Sequence, residues 1–235
     1  MTSKPASESP GTAAPPRASG PGRPKDLGKR AAILKSAKRL FVAHGYEGVS
    51  MDQIATAAGV SKLTVYSHFG DKDSLFSAAI IAKLDEQVPA ALFSDDTLRQ
   101  TGPKDSREGL HAQLMRIGMA FFSLVSSEEA LSMHRMMLSP NSQPHVRDLF
   151  WQAGPQRLKN GFGEFLRERM ARGQLDIDDV DLAAGQFFCL LKGDLHVRMM
   201  CCLCASPAAD VVHAHVSATV DMFLRAYGTP VRTAT

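Results

Sequence analysis

The sequence predicts an all-α protein, with an N-terminal three-helix unit built around a helix-turn-helix and a larger C-terminal helical domain. Three observations predict it. Residues Ser50 to Phe69, SMDQIATAAGVSKLTVYSHF, carry a complete helix-turn-helix pattern. On both sides of it, apolar residues recur at helical spacing between Pro and Gly breaks. Strand-like alternation stands out nowhere along the 235 residues. A chain of this length can bury one small and one medium core, or fold as a single helical body.

Residues 1–25 hold six prolines, many Ser, Ala and Gly, and almost no apolar bulk. They cannot bury enough surface to order themselves, and read as a disordered basic arm. Its last segment, Gly22-Arg23-Pro24-Lys25, has the make-up of a short arm whose Arg23 enters an A·T-rich minor groove, drawn by the narrow groove's negative potential. A solvated linker with stray charges has the same composition. Residues 26–73 are the expected DNA-binding domain. Its first helix should run from about Leu27 to His44, with Ile33, Ala37, Leu40 and Phe41 as the core stripe and Lys29, Lys35, Lys38 and Arg39 largely on the other faces. Gly45 then ends it.

Within the motif, each residue type has a mechanical reason to be there. Ala55 lets two helices cross closely, Gly59 supplies the positive φ of the turn, and Val65 buries the inner face of the second helix. Ser50 and Gln53 form an S-x-x-Q capping box, and Ser61 caps the second helix. That helix would present Lys62, Thr64, Tyr66, Ser67 and His68 outward, donors suited to phosphates and base edges. Ser50 joins them as a contact candidate. Asp71 caps a fourth helix, so Lys72 sits in its first turn, where the ammonium can meet a phosphate beside the N-terminal amides. For Tyr66 a second reading is open, a ring packed in the core with its hydroxyl at the surface.

Charge is nearly balanced overall, at +3, but it is unevenly placed. Residues 1–83 hold twelve Lys and Arg against six Asp and Glu, and residues 84–235 fifteen against eighteen. The basic part carries the DNA motif, as phosphate attraction requires. No apolar run reaches the roughly 18 residues of a membrane span and no secretory h-region opens the chain, so the expected location is the cytoplasm.

The run from Ile33 to Phe76 closely resembles the N-terminal domain of TetR/AcrR-family transcription regulators. The shared features are Phe41, Gly45 and Tyr46 as F-x-x-x-G-Y, the I-A-x-x-A-G-V-S run from Ile54 to Ser61, and Tyr66 and Phe69 leading into Asp71, Lys72, Leu75 and Phe76. Further on, FWQAGP (Phe150 to Pro155) and RGQLDIDDVDLAAGQF (Arg172 to Phe187) resemble the ligand-binding half of the AefR-like branch. The resemblance implies that Lys72 and Tyr66 grip the DNA backbone, and that Lys62, Thr64 and His68 reach phosphates or bases. It also implies a pocket in the second domain whose occupation changes the spacing of two DNA heads.

That second domain, residues 74–235, stays helical in pattern, with candidate helices at about 106–126, 128–138, 143–171, 178–203 and 207–227. Gly154-Pro155 should kink the third of these, and such a kink can line a cavity. Soft and aromatic residues are plentiful here. Met119, Phe122, Met137, Trp151 and Phe187 are the candidates for contacting a small apolar or aromatic molecule, although residues of this kind also make plain core. Two amphipathic faces, one with Phe187 and Leu190 and one with Val216, Val220 and Phe223, are expected to pair with a second copy in a four-helix bundle. One helix-turn-helix reads only a few base pairs, and two heads on successive major grooves read a palindrome.

Catalysis finds no support: the chain has no G-x-S-x-G elbow, no H-E-x-x-H and no phosphate-cradling Gly-rich loop. The acidic turn Asp176, Asp178, Asp179 and Asp181 reads as a helix N-terminus. His196, Cys201, Cys202, Cys204, His213 and His215 invite a metal or thiol-sensor reading, but their spacing is poor, and inert cysteines buried near a helix end are expected. The resulting expectation is a homodimeric, cofactor-free and metal-free transcriptional regulator that is not an enzyme. It would be a repressor released from a palindromic operator in double-stranded DNA by a small apolar or aromatic effector. The alternative is a cysteine-based redox or metal sensor with DNA binding as output.

Overall fold

The computed structural model describes residues 27–94, 106–204 and 206–229. The arm with Arg23 lies outside the described residues. Four helices come first: α1 (Leu27–His44), α2 (Met51–Ala58), α3 (Lys62–Phe69) and α4 (Lys72–Gln87). Ser50 and Gln53 close a full capping box on α2, and Ser61 and Asp71 cap α3 and α4 through their side chains. Gly59 turns the chain between α2 and α3 at φ 65°, a conformation that costs a residue with a Cβ about 1 kcal/mol or more. Its amide meets the carbonyls of Ala55 and Thr56. Buried Ile33, Phe41, Ile54, Val65 and Phe76 join these helices, with Phe41, Tyr46 and Phe76 rings 5.1–6.0 Å apart.

Six further helices make up the body: α5 (Arg107–Ser126), α6 (Glu128–Leu138), α7 (Pro144–Trp151), α8 (Arg157–Ala171), α9 (Val180–Met200) and α10 (Ala209–Tyr227). Among the described residues the one β-bridge joins Leu175 to Gly228, and there is no strand. Asp179 caps α9, as the acidic turn predicts. The second core centres on Phe162, whose ring stacks on Phe187 at 4.7 Å and lies 5.1 Å from Phe188 and 5.6 Å from Phe165. Each buried ring removes roughly 150–250 Å² from water.

Two faults interrupt these helices. The predicted Gly154-Pro155 break is a π turn, Gln152–Gln156, between α7 and α8, because Pro155 cannot donate to the helical ladder. The second fault was not legible as one: Gly193 in α9 has φ 49° and ψ −157°, a conformation open to glycine only. The interrupted ladder frees the Leu191 carbonyl, and His215 Nε2 of α10 takes it at 2.8 Å.

α4 belongs to both cores. Leu75, Phe76 and Ala79 join the first and Leu84 joins the second, so a movement of α4 is felt in both.

Burial corrects the expected dimer faces. Phe187, Val216, Val220 and Phe223 are almost fully enclosed within one protomer, where they pack α9 and α10 onto α5 and α8. A side chain with no exposed surface cannot touch a second copy. Of that set only Leu190 reaches the surface; the exposed large apolar side chains of these helices are Leu182, Leu190, Val197, Val211 and Met222.

Candidate functional site

The outer side of α3 consists of Lys62, Leu63, Tyr66 and Ser67, all exposed, while Val65 and Phe69 anchor its inner side. Its polar members are tied down before any ligand arrives. Lys62 pairs with Asp52 of α2 at 2.9 Å, and that hydrogen bond, ahead of the Coulomb attraction, raises its pKa above that of a free lysine. Ser67 Oγ donates to the Thr64 carbonyl at 2.9 Å, and Thr64 Oγ1 lies 2.8 Å from Ser61 Oγ. The Tyr66 ring is 41% exposed, with Lys62 Nζ 6.0 Å from its centroid, so it is not core packing.

Ser50 is exposed, but its hydroxyl accepts from the Gln53 amide at 3.2 Å as a cap. His68 departs from the outward reading. It falls three residues after Val65, at the edge of the inward stripe; its ring leans on Phe69, and Nδ1 is buried with no hydrogen-bond partner among the described residues. Leu63 is the residue that sequence reasoning passes over. At 78% exposed it is an apolar side chain projecting from the middle of a polar helix face, and only its helical phase relative to Val65 signals it.

Lys72 sits at the start of α4 as predicted. Its ammonium lies 4.1 Å from the centroid of the Tyr46 ring, an attraction of about 0.5–1 kcal/mol. Tyr46 is itself locked, since its hydroxyl donates to Asp73. Burial, and then that acceptor, push the Tyr46 pKa up. Asp71 accepts the Ser74 amide at 2.7 Å, which holds its carboxyl below the usual range. Tyr46 therefore positions Lys72 beside α3 without neutralising it.

A second site lies between the two cores. A cavity of about 1250 Å³ is walled on one side by α1 and α4 and on the other by α5, α6, the π turn and α9. Phe121, Met133, Phe150, Trp151, Pro155 and Phe188 supply much of its apolar wall. Of the five predicted ligand contacts only Trp151 lines it. Phe122 and Phe187 are enclosed in the second core, Met119 packs against that core, and Met137 belongs to the first. Phe187 and Phe188 are neighbours about 100° apart on one helix; which of them faces a cavity depends on partners the local sequence does not show.

At the α6–α9 end of the cavity stand Lys192 and His134, with buried His196 beside them. The His134 and His196 rings lie 5.7 Å apart, edge to face. Desolvation, the Lys192 charge and His134 bring the His196 pKa down to about 4, and desolvation also lowers that of His134. The cysteines near the helix end correct another expectation: Cys201 and Cys202 are exposed and Cys204 half-buried, because all three lie past Met200, where α9 ends, and these and Cys189 are free thiols. Among the described residues no three His, Cys, Asp or Glu side chains form a metal-binding group.

Fold and site together define a helix-turn-helix head joined through a shared helix to a helical body with its own cavity. Residues 33–79 match the family model of bacterial regulatory proteins of the tetR family, and residues 112–229 match the C-terminal domain of AefR-like transcriptional repressors. The chain belongs to the TetR family, a family of transcription regulators rather than enzymes. The repressor AcnR of Corynebacterium glutamicum is 38% identical over 74 residues, 32% of this chain and 38% of that protein. The match thus spans about two fifths of that curated relative's length. The repressor ComR of Escherichia coli is 28% identical over 177 residues, 73% of this chain and 80% of that protein. The solved structure of the flavonoid-responsive regulator FrrA superposes with a TM-score of 0.65 at 25% identity, covering 88% of this chain and 100% of that one. Among the described residues no helix is long and apolar enough to cross a membrane.

Proposed function

We propose that the protein is a cytoplasmic, homodimeric repressor that binds a palindromic operator and leaves it when a small apolar or aromatic effector fills the cavity. One observation carries this reading: α4 holds Lys72 in its first turn, next to α3, and lines the cavity with Ile80, Lys83 and Leu84 further along. An occupant that pushes on these side chains moves the helix that positions α3. Gly154 of the π turn packs on Ile80, so the kink in the body bears on this same helix. The name of FrrA, with its flavonoid response, agrees with an aromatic effector. Lys62, Tyr66, Ser67, Thr64 and Lys72 are the proposed DNA contacts. Leu63 is added to them, because an apolar side chain on a recognition helix fits the thymine C5-methyl group in the major groove.

A second copy would dock on the exposed side of α9 and α10, where Leu182 and Leu190 on one helix, ahead of the Gly193 fault, and Val211, Ala218 and Met222 on the other recur at helical spacing. The test is selection of duplexes from a random pool by the purified protein, followed by native mass spectrometry of the complex. The expected result is a two-fold symmetric site with half-sites about 10 base pairs or a multiple apart, holding two chains or a multiple of two. An asymmetric site bound by one chain overturns the dimer reading, and no enrichment overturns the DNA reading.

A further inference from the structure

The cavity is apolar over most of its wall, yet it holds an ammonium group that nothing among the described residues pairs. On α9, Gly185, Phe188, Cys189 and Lys192 line it at i, i+3, i+4 and i+7, so Lys192 stands on the same helix face as the Phe188 ring. Lys192 has no hydrogen bond or ion pair among the described residues. The acidic residues lining the cavity are Glu86 and Glu129, and each is already held at 2.5 Å, by Lys38 and Lys83. Lys35, Arg39 and Lys159 add further positive charge to the lining, so the cavity carries a net excess of cations.

We propose that the effector is an anionic amphiphile, a carboxylate joined to an apolar chain or ring, whose head pairs with Lys192 while its body lies against Phe121, Phe150, Trp151 and Phe188. This rests on the effector reading and names the chemistry of the molecule that reading requires. A half-buried cation without a counter-ion has lost part of its hydration at a cost, and a bound carboxylate returns a charge-assisted hydrogen bond. A neutral isostere would instead cover the ammonium with apolar surface and leave it unpaired. Burial already holds the Lys192 pKa below that of a solvated lysine, with the Cys189 thiol working the other way. Burial lowers the pKa values of His134, at this end of the cavity, and of His196 beside it, which disfavours positive charge on either ring, and neither offers Lys192 a counter-ion.

The test titrates the full-length protein with two matched pairs, dodecanoate against dodecanol and 2-naphthoate against 2-naphthamide, each below its aggregation concentration. Trp151 emission and the thermal midpoint are the readouts; Trp151 is the only tryptophan in the sequence. In at least one pair the acid should bind about tenfold or more tightly than its neutral partner. Lys192→Met should erase that preference and leave the neutral partner's affinity within about twofold, whereas Lys192→Arg should keep it. Equal affinities in the unsubstituted protein, or a preference that survives Lys192→Met, overturn the inference while leaving the effector cavity standing. If no member of either pair shifts Trp151 emission or the midpoint, the inference and the effector reading fall together.

Discussion

The DNA-reading head and the body behind it use the same material, amphipathic helices, for opposite ends. In the head, α2 and α3 are eight residues each, and every end is closed by a cap or a glycine turn. Several of its polar side chains are held before DNA arrives, Lys62 by Asp52 and Ser67 by the Thr64 carbonyl. The body uses helices of 20 and 21 residues, α5 and α9, and then interrupts α9 at Gly193 and the α7–α8 run at Pro155. A head that must fit a polymer of fixed groove dimensions gains from being rigid and pre-bonded. A body that holds a cavity needs departures from helical regularity, since regular helices with interlocking side chains leave no room. The charge of Lys192 on the cavity wall, unpaired among the described residues, belongs to the second design.

The largest test of this contrast is in the body's core. Phe162→Ala removes a fully buried ring that touches Phe165, Phe187 and Phe188, and should cost about 3–5 kcal/mol in urea unfolding. Leu63→Ala, which removes an apolar but exposed side chain from α3, should change stability by no more than about 0.5 kcal/mol. A Phe162→Ala cost below about 1 kcal/mol would mean that these rings are not the keystone of the body.

Acid should loosen the body through His196. Its folded pKa is depressed to about 4 from the ordinary 6.5, by burial first and then by Lys192 and His134, with the Val125 carbonyl acting the other way. Above pH 6.5 neither the folded nor the unfolded chain binds this proton, so stability does not depend on it. Between pH 6.5 and 4 the unfolded chain takes the proton and the folded chain refuses it. Stability is therefore lost as pH falls through that window, by up to about 3 kcal/mol. His134 adds to the loss in the same direction. Unfolding free energies of the protein and of His196→Gln should diverge in slope between pH 6.5 and 5, the variant falling less steeply. Parallel slopes would show that the His196 ring is solvated.

The head was legible because its signals are local. Ser50 with Gln53, Gly59, Ser61, Val65 and Asp71 lie within 22 residues of one another, and each position dictates its own conformation. Asp179 and Gly154-Pro155 are signals of the same kind, and they too were readable. The cavity was not. Phe188 faces it and Phe187 does not because of which helices lie against α9, a matter of tertiary packing that leaves no mark on an apolar pair. Lys192 looks like any surface lysine until Glu86 and Glu129 are found engaged elsewhere. Gly193 looks like a tolerated helix glycine until His215 is seen against it, where a Cβ would meet the imidazole at 2.8 Å. The dimer faces failed for the related reason that a helix with two apolar sides does not announce which side the protomer itself will use.

The smallest expected effects separate two kinds of contact within the head itself. Lys72 is held by Tyr46 as a charge beside a helix N-terminus, with no geometry specific to any base, so Lys72→Ala should weaken binding to all duplexes alike. It should flatten the dependence of log affinity on log salt concentration by about 0.9 per head, because one fewer counterion is released. Leu63 carries no charge, so Leu63→Ala should leave that slope unchanged. Instead it should relax the preference for thymine at one position of each half-site by roughly tenfold, the cost of one mismatched pair. Binding measured at low and at high salt, on the selected operator and on single-base variants of it, reads both effects in one experiment. If the slope moves with Leu63 and the base preference with Lys72, the assignments are reversed and α3 docks in another orientation. If neither variant moves either quantity, the exposed face of α3 is not the surface that meets DNA.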